Sequence, residues 1–269
     1  MDPLEITAED TISRTPEIIA ATPGASADST FHNKQLPPLN KGECPNFPPL
    51  TVRIEPLDAF TTARKYIQRD PTIRGKVAVL NLASDQHRAG GWRDSLCKTQ
   101  EEALCYSSTL YITLKEEYYP WANLGPGSDA GIYSPAVVIF KDDLDHSCVD
   151  LPVDQRETVA VLTIAAPRGP EVLNNRLLNS SDLHDFREKI RLAYRMAGHN
   201  GNQALVLGAM GCGAYCCPPR QVAEEMKSIL FDEEFVGWFK DVVFAVYPAG
   251  RTGQINYDIF KEVFGALES

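Results

Sequence analysis

Two stretches of this chain place acid–base groups beside small, flexible residues. The first reads Asn81-Leu82-Ala83-Ser84-Asp85-Gln86-His87-Arg88-Ala89-Gly90-Gly91, runs on from Trp92 to Thr99, and ends in Gln100-Glu101-Glu102. Its glycines permit positive φ and close backbone approach to a ligand. Its carboxylates fall in the first turn of the helix expected from Thr99. Adjacent helical side chains point ~100° apart, so Glu101 and Glu102 cannot do the same job. The second stretch is Gly208-Ala209-Met210-Gly211-Cys212-Gly213-Ala214-Tyr215. Lying between a strand and a helix, it forms a small-residue cradle whose N–H groups can surround a phosphate or diphosphate. Tyr215 offers a flat face to a sugar or base.

Plainer readings compete at each position. Thr99-Gln100-Glu101-Glu102 has the pattern of a capping box, with Thr99 at N-cap and Glu102 at N3. The second loop's glycines could simply allow a tight turn, Tyr215 could be a core aromatic, and Asn81 could cap a loop. Cys212, Cys216 and Cys217 invite a zinc reading, but no second ligand pair stands nearby and five histidines are scattered elsewhere. Small buried thiols are expected there, with neither metal nor cofactor. His87 and Arg88 are expected on an exposed loop, and Trp92 is expected to pack that loop down.

The elements that must position these residues follow from hydrophobic patterning. Val77 to Ala83 is a continuous apolar run of the kind buried in parallel sheets. Further strands are expected over 51–54, 131–140, 159–165, 204–208 and 241–247. Helices are expected over 56–68, from Thr99 to about Lys115, and over 181–197, 218–230 and 257–264. Strand and helix alternate, which means an α/β sheet covered by helices. The first 50 residues hold eight of the nineteen prolines and sustain no hydrophobic period. They read as an extended arm (1–50), partly disordered or wrapped over the domain surface, ahead of one domain (51–269).

Composition narrows the function classes. The 269 residues are 43% hydrophobic and 23% charged, as in ordinary globular proteins. No apolar run approaches the ~20 residues needed to span a bilayer. An acidic N-terminus without an apolar leader and seven dispersed cysteines suggest reduced thiols and an intracellular setting, cytoplasm or nucleus. A net charge of −10 argues against broad nucleic-acid binding. Backbone N–H groups can still hold a phosphate-bearing ligand.

Taken together, the glycine loop, the spacer and Gln-Glu-Glu resemble the signature of the bacterial-type poly(ADP-ribose) glycohydrolases. That signature is three glycines, six to eight residues, then Gln-Glu-Glu. Here the triplet reads Ala89-Gly90-Gly91, the spacer Trp92 to Thr99 has eight residues, and Gln100-Glu101-Glu102 is intact. The second loop, Ile132-Tyr133-Ser134-Pro135 and Ala165-Ala166-Pro167 are also similar to family segments. The resemblance covers roughly 51–267 and leaves the arm unmatched. It implies a macrodomain-like three-layer fold, a mixed, mostly parallel sheet with helices on both faces. It implies Glu102 as catalytic acid/base, Glu101 as its neighbour holding the terminal ribose, and Asn81 as a ribose contact. Ala89, Gly90, Gly91 and Gln100 correspond to the first loop. Gly211, Cys212, Gly213, Ala214 and Tyr215 correspond to the diphosphate loop, and Asn256 to the adenine side. The partner implied is an ADP-ribose polymer or ADP-ribosylated protein, handled by a monomer. Two residues depart from the pattern: Ala89 replaces the first glycine, and Arg88 stands where the family tends to have proline. A reader that binds ADP-ribose without cleaving it is the alternative, but it has no use for paired carboxylates. A third reading is a nucleotide-binding structural protein with the arm as its interaction element.

Overall fold

The computed structural model describes residues 2–265, so the last four residues of the expected domain lie outside the described residues. In chain order the elements are α1 (Pro3–Ala21), β1 (Thr30–His32), β2 (Thr51–Glu55), α2 (Ala59–Arg69), β3 (Val77–Leu82), α3 (Gln100–Ser107) and α4 (Leu110–Thr113). They continue with β4 (Gly131–Ile139), β5 (Glu157–Ile164), β6 (Val172–Leu173), β7 (Arg176–Leu177) and α5 (Ser180–His199). The chain ends through β8 (Ala204–Leu207), α6 (Pro219–Leu230), β9 (Asp241–Ala245) and α7 (Gly250–Gly265).

Seven strands form one sheet in the order β1-β4-β5-β3-β8-β9-β2. The β5-β3-β8-β9-β2 run is parallel, and β4 is antiparallel to both its neighbours. β6 and β7 make a separate hairpin. The central strands bury both faces, as their unbroken apolar runs require. Ala78, Leu80, Leu205 and Leu207 pack with residues of α5, α6 and α7 on one side. Val77, Val79 and Val206 pack with α2 and α3 on the other. This is the three-layer α/β architecture expected. It gathers the loops that follow β3, β8 and β9 at the carboxyl end of the sheet, where ligands of open α/β sheets bind.

Two expectations need correction. Residues 3–21 are helical, not extended. Asp2 accepts the Leu4 amide at 2.8 Å and Glu5 reaches back to the Asp2 amide, so a reciprocal cap starts α1 with Pro3 in its first turn. Ala8, Thr11, Thr15 and Ile18 are buried. Thr11 Oγ1 donates to Tyr106 O at 2.9 Å, which docks α1 on the end of α3. The interior Pro16 and a mixed polar face hid this helix, whose burial comes from tertiary packing. The second correction concerns the helix expected as far as Lys115, which stops at Ser107. Ser108 is fully extended and bridges to Ile139, and its hydroxyl turns back to Leu104 O at 2.7 Å.

Candidate active site

Each residue of Gln100-Glu101-Glu102 fastens the start of α3 to a different piece of backbone. Gln100 clasps β3, donating to Leu80 O at 2.7 Å and accepting from Leu82 N at 2.9 Å. Glu101 accepts the Ser84 amide at 2.8 Å and Asn81 Nδ2 at 3.2 Å. Glu102 accepts the Gly91 amide at 2.9 Å and the Thr99 hydroxyl. The capping box is therefore not formed: the Thr99 side chain takes no backbone N–H of α3. Both carboxylates are buried, Glu101 at 2% exposure and Glu102 at 4%. Burial pushes the Glu101 carboxyl up to about 8; its two hydrogen bonds oppose this, and the charge of Glu102 adds to it.

The loop that reaches Glu102 is shaped by positive φ at Ala89 (58°) and Gly90 (59°). A Cβ on Gly90 would run into the Glu102 carboxylate. Ala89 pays the left-handed cost, about 1–2 kcal/mol, with its methyl fully buried. Trp92 packs the loop down as expected, against Tyr106 and Tyr111 with ring centroids 5.6 and 4.9 Å apart, while Tyr106 Oη donates to Trp92 O at 2.8 Å. Arg88 is not a free loop residue. Its guanidinium lies 3.8 Å from the Tyr111 ring centroid and donates to Tyr111 O at 2.8 Å.

In the second loop Gly211 has φ 75°, and a Cβ there would lie 2.6 Å from Ala166 Cβ and 2.7 Å from Cys217 Sγ. Gly213 faces open space. Cys212 and Cys217 are buried thiols, whereas Cys216 is exposed. Asn256 of α7 donates to Cys212 O at 3.4 Å and buries its own Oδ1 without a protein partner. Tyr215 Oη lies 3.3 Å from Asp85 Oδ1.

Both loops face one cavity of about 850 Å³. Gly90, Gly91, Gln100, Glu101 and Glu102 line it from one side, and Gly211, Gly213, Ala214, Tyr215 and Asn256 from the other. Asn81, Ala89 and Cys212 do not line it. Asn81 sits behind Glu101, also bonding Thr163 Oγ1 at 3.2 Å, so it reaches the cavity only through that carboxyl.

Sequence reasoning missed three contributors. Asp85 is fully buried and accepts from Asn123 Nδ2 at 3.0 Å and from Arg168 Nη2 at 3.4 Å as well as Tyr215, tying the first loop to the second. Its lone signal was an acidic residue inside the glycine loop. Asp58 and Asp143 line a further wall. Asp58 caps α2 through the Phe60 and Thr61 amides, and burial raises its carboxyl to about 6. Nothing in their local sequence links them to the carboxylates. Asp142, Asp143 and His146 bring potential metal-ligand atoms together, but Arg64, Thr61 and their own mutual contacts already engage these side chains.

Residues 10–142 match the family described as microbial-type PARG, catalytic domain. The match begins inside α1, so residues 10–50 belong to the resemblance that had been expected to start near 51. It ends before the second loop, which the fold alone supplies. The poly(ADP-ribose) glycohydrolase of Deinococcus radiodurans, solved in complex with ADP-ribose, is 29% identical with a TM-score of 0.70, over 84% of this chain and 88% of its own. The Thermomonospora curvata enzyme shares the fold at 24% identity and a TM-score of 0.75, over 97% and 98% of the two chains. Its complex with the inhibitor ADP-HPD gives a TM-score of 0.73 at 24% identity, over 96% and 98%. No curated protein sequence matches this chain. The buried carboxylate pair, the glycine loop that meets it and the opposing cradle thus lie on a PARG scaffold.

Proposed function

We propose that this protein is a glycohydrolase of the microbial PARG type, which hydrolyses the ribose O-glycosidic bond of poly(ADP-ribose) or of ADP-ribosyl conjugates with Glu102 as general acid/base. The observation that carries the reading is a buried glutamate fixed by a glycine-loop amide inside a cavity whose far wall is a diphosphate-type cradle. The cavity volume is within the usual range for small-ligand sites. A module that only read ADP-ribose would have no use for two buried carboxylates.

Cleavage at a ribose C1 passes through an oxocarbenium-like transition state. Protonated Glu102 gives its proton to the leaving oxygen as the C1–O bond breaks, and the bonding pair leaves with that oxygen. The resulting carboxylate then takes a proton from the water that attacks C1. Burial raises the Glu101 carboxyl, which lies beside Glu102 and can hold a ribose hydroxyl. Asn81 orients Glu101 from behind. The amides of the Gly211–Tyr215 loop take the diphosphate, whose charge steadies the developing cation. Asn256 lines the cavity wall and is placed toward the far end of the ligand. The substrate is an ADP-ribose polymer or an ADP-ribosylated protein. Among the described residues no helix is long and apolar enough to cross a membrane.

Glu102→Gln tests the assignment. It should lower turnover of poly(ADP-ribose) by ~10²–10⁴-fold while ADP-ribose still binds. Turnover kept within ~10-fold of wild type would remove Glu102 from the role. Failure of the wild-type protein to bind ADP-ribose would remove the reading altogether.

A further inference from the structure

Thr99 and Glu102 have the residue types and spacing of a reciprocal helix cap, and both forgo it. Thr99 stands at the N-cap in extended backbone, φ −77° and ψ 177°, yet its side chain caps no backbone N–H. Its hydroxyl goes instead to Glu102 Oε2, while Glu102 Oε1 accepts the Gly91 amide at 2.9 Å. Giving up an N-cap costs a helix stability. Both residues line the cavity.

The two partners of the Glu102 carboxyl differ chemically. An amide N–H can only donate, whereas a hydroxyl can donate or accept. Oε1 therefore cannot carry the acid proton and keep its bond to Gly91. Oε2 can carry it, because the Thr99 hydroxyl then turns from donor to acceptor. We infer that Thr99 is a positioning residue for Glu102: with the Gly91 amide it fixes the carboxyl in one orientation and directs the transferable proton to Oε2. Its hydroxyl stays bonded whether Glu102 is ionised, after protonating the leaving oxygen, or reprotonated by the attacking water. The role in turnover rests on the glycohydrolase reading; the carboxyl orientation does not.

Thr99→Val keeps the side-chain shape and removes the hydroxyl, and Thr99→Ser keeps the hydroxyl. On poly(ADP-ribose), Thr99→Val should lower kcat by ~10-fold or more with KM changed less than ~3-fold, and Thr99→Ser should restore kcat to within ~3-fold of wild type. Crystal structures of both variants should show Glu102 Oε1 on the Gly91 amide in Thr99→Ser and a turned carboxyl in Thr99→Val. Wild-type kcat in Thr99→Val, or an unmoved carboxyl in its structure, overturns the inference. A wild-type protein that releases nothing from polymer overturns the glycohydrolase reading instead, and the carboxyl orientation in the two variants still decides the role of Thr99.

Discussion

The Gly91 amide donates to Glu102 Oε1 at 2.9 Å across the spacer that separates the glycine loop from α3. This bond joins the two halves of the sequence signature into one device. The loop aims the acid, and the acid fills the space that a side chain on the loop would need.

Gly90 is where that fit is tightest. Gly90→Ala would need a left-handed backbone at a non-glycine residue, costing about 1–2 kcal/mol, and would drive its methyl against Glu102. Turnover should drop by ~10² or more, with a smaller loss of ADP-ribose affinity, because displacing the proposed acid/base harms chemistry before binding. Steady-state kinetics beside calorimetric titration measure both; equal losses would contradict this account.

The second loop offers a paired test. At Gly211 a Cβ meets Ala166 and Cys217, and the backbone is left-handed; at Gly213 it meets open space. Gly211→Ala should weaken ADP-ribose binding ~10-fold or more, whereas Gly213→Ala in the unliganded protein should leave the thermal midpoint close to wild type. The reverse ranking of thermal midpoints would show that the loop is shaped differently.

Glu101 makes stability depend on pH. A carboxyl raised from 4.5 unfolded to about 8 folded takes up a proton on folding between those values. Its contribution is full below pH 4.5 and is lost as pH rises through 8. Urea midpoints of the wild type should therefore decline over this window relative to those of Glu101→Gln, whose neutral amide does not titrate. Parallel curves for the two proteins would show that Glu101 is ionised throughout.

Tyr106 fixes the loop from the helix side. Tyr106→Phe strands the buried Trp92 carbonyl and should cost about 1–3 kcal/mol of unfolding free energy. It should also lower kcat, since Trp92 directly follows Gly91. Denaturant unfolding with unchanged stability would indicate that another group replaces the hydroxyl.

Local chemistry made much of this protein legible. Apolar runs such as Val77 to Ala83 can be satisfied only inside a sheet covered on both faces, so the α/β class and most elements follow from patterning. The glycine loop, the eight-residue spacer and Gln100-Glu101-Glu102 are contiguous, so their chemistry could be read without coordinates. Tertiary structure alone decided the rest. α1 owes its stability to burial against α3, and its sequence with Pro16 gives little periodic signal. The Thr99–Glu102 pattern is equally a capping box by sequence, and only the approach of the Gly91 amide shows where the carboxyl goes. Asn81 and Cys212 stand behind the cavity because depth in a folded wall is a three-dimensional property. Asp58, Asp85 and Asp143 reach the site from separate loops, joined by contacts between residues far apart in the chain, which no local spacing encodes.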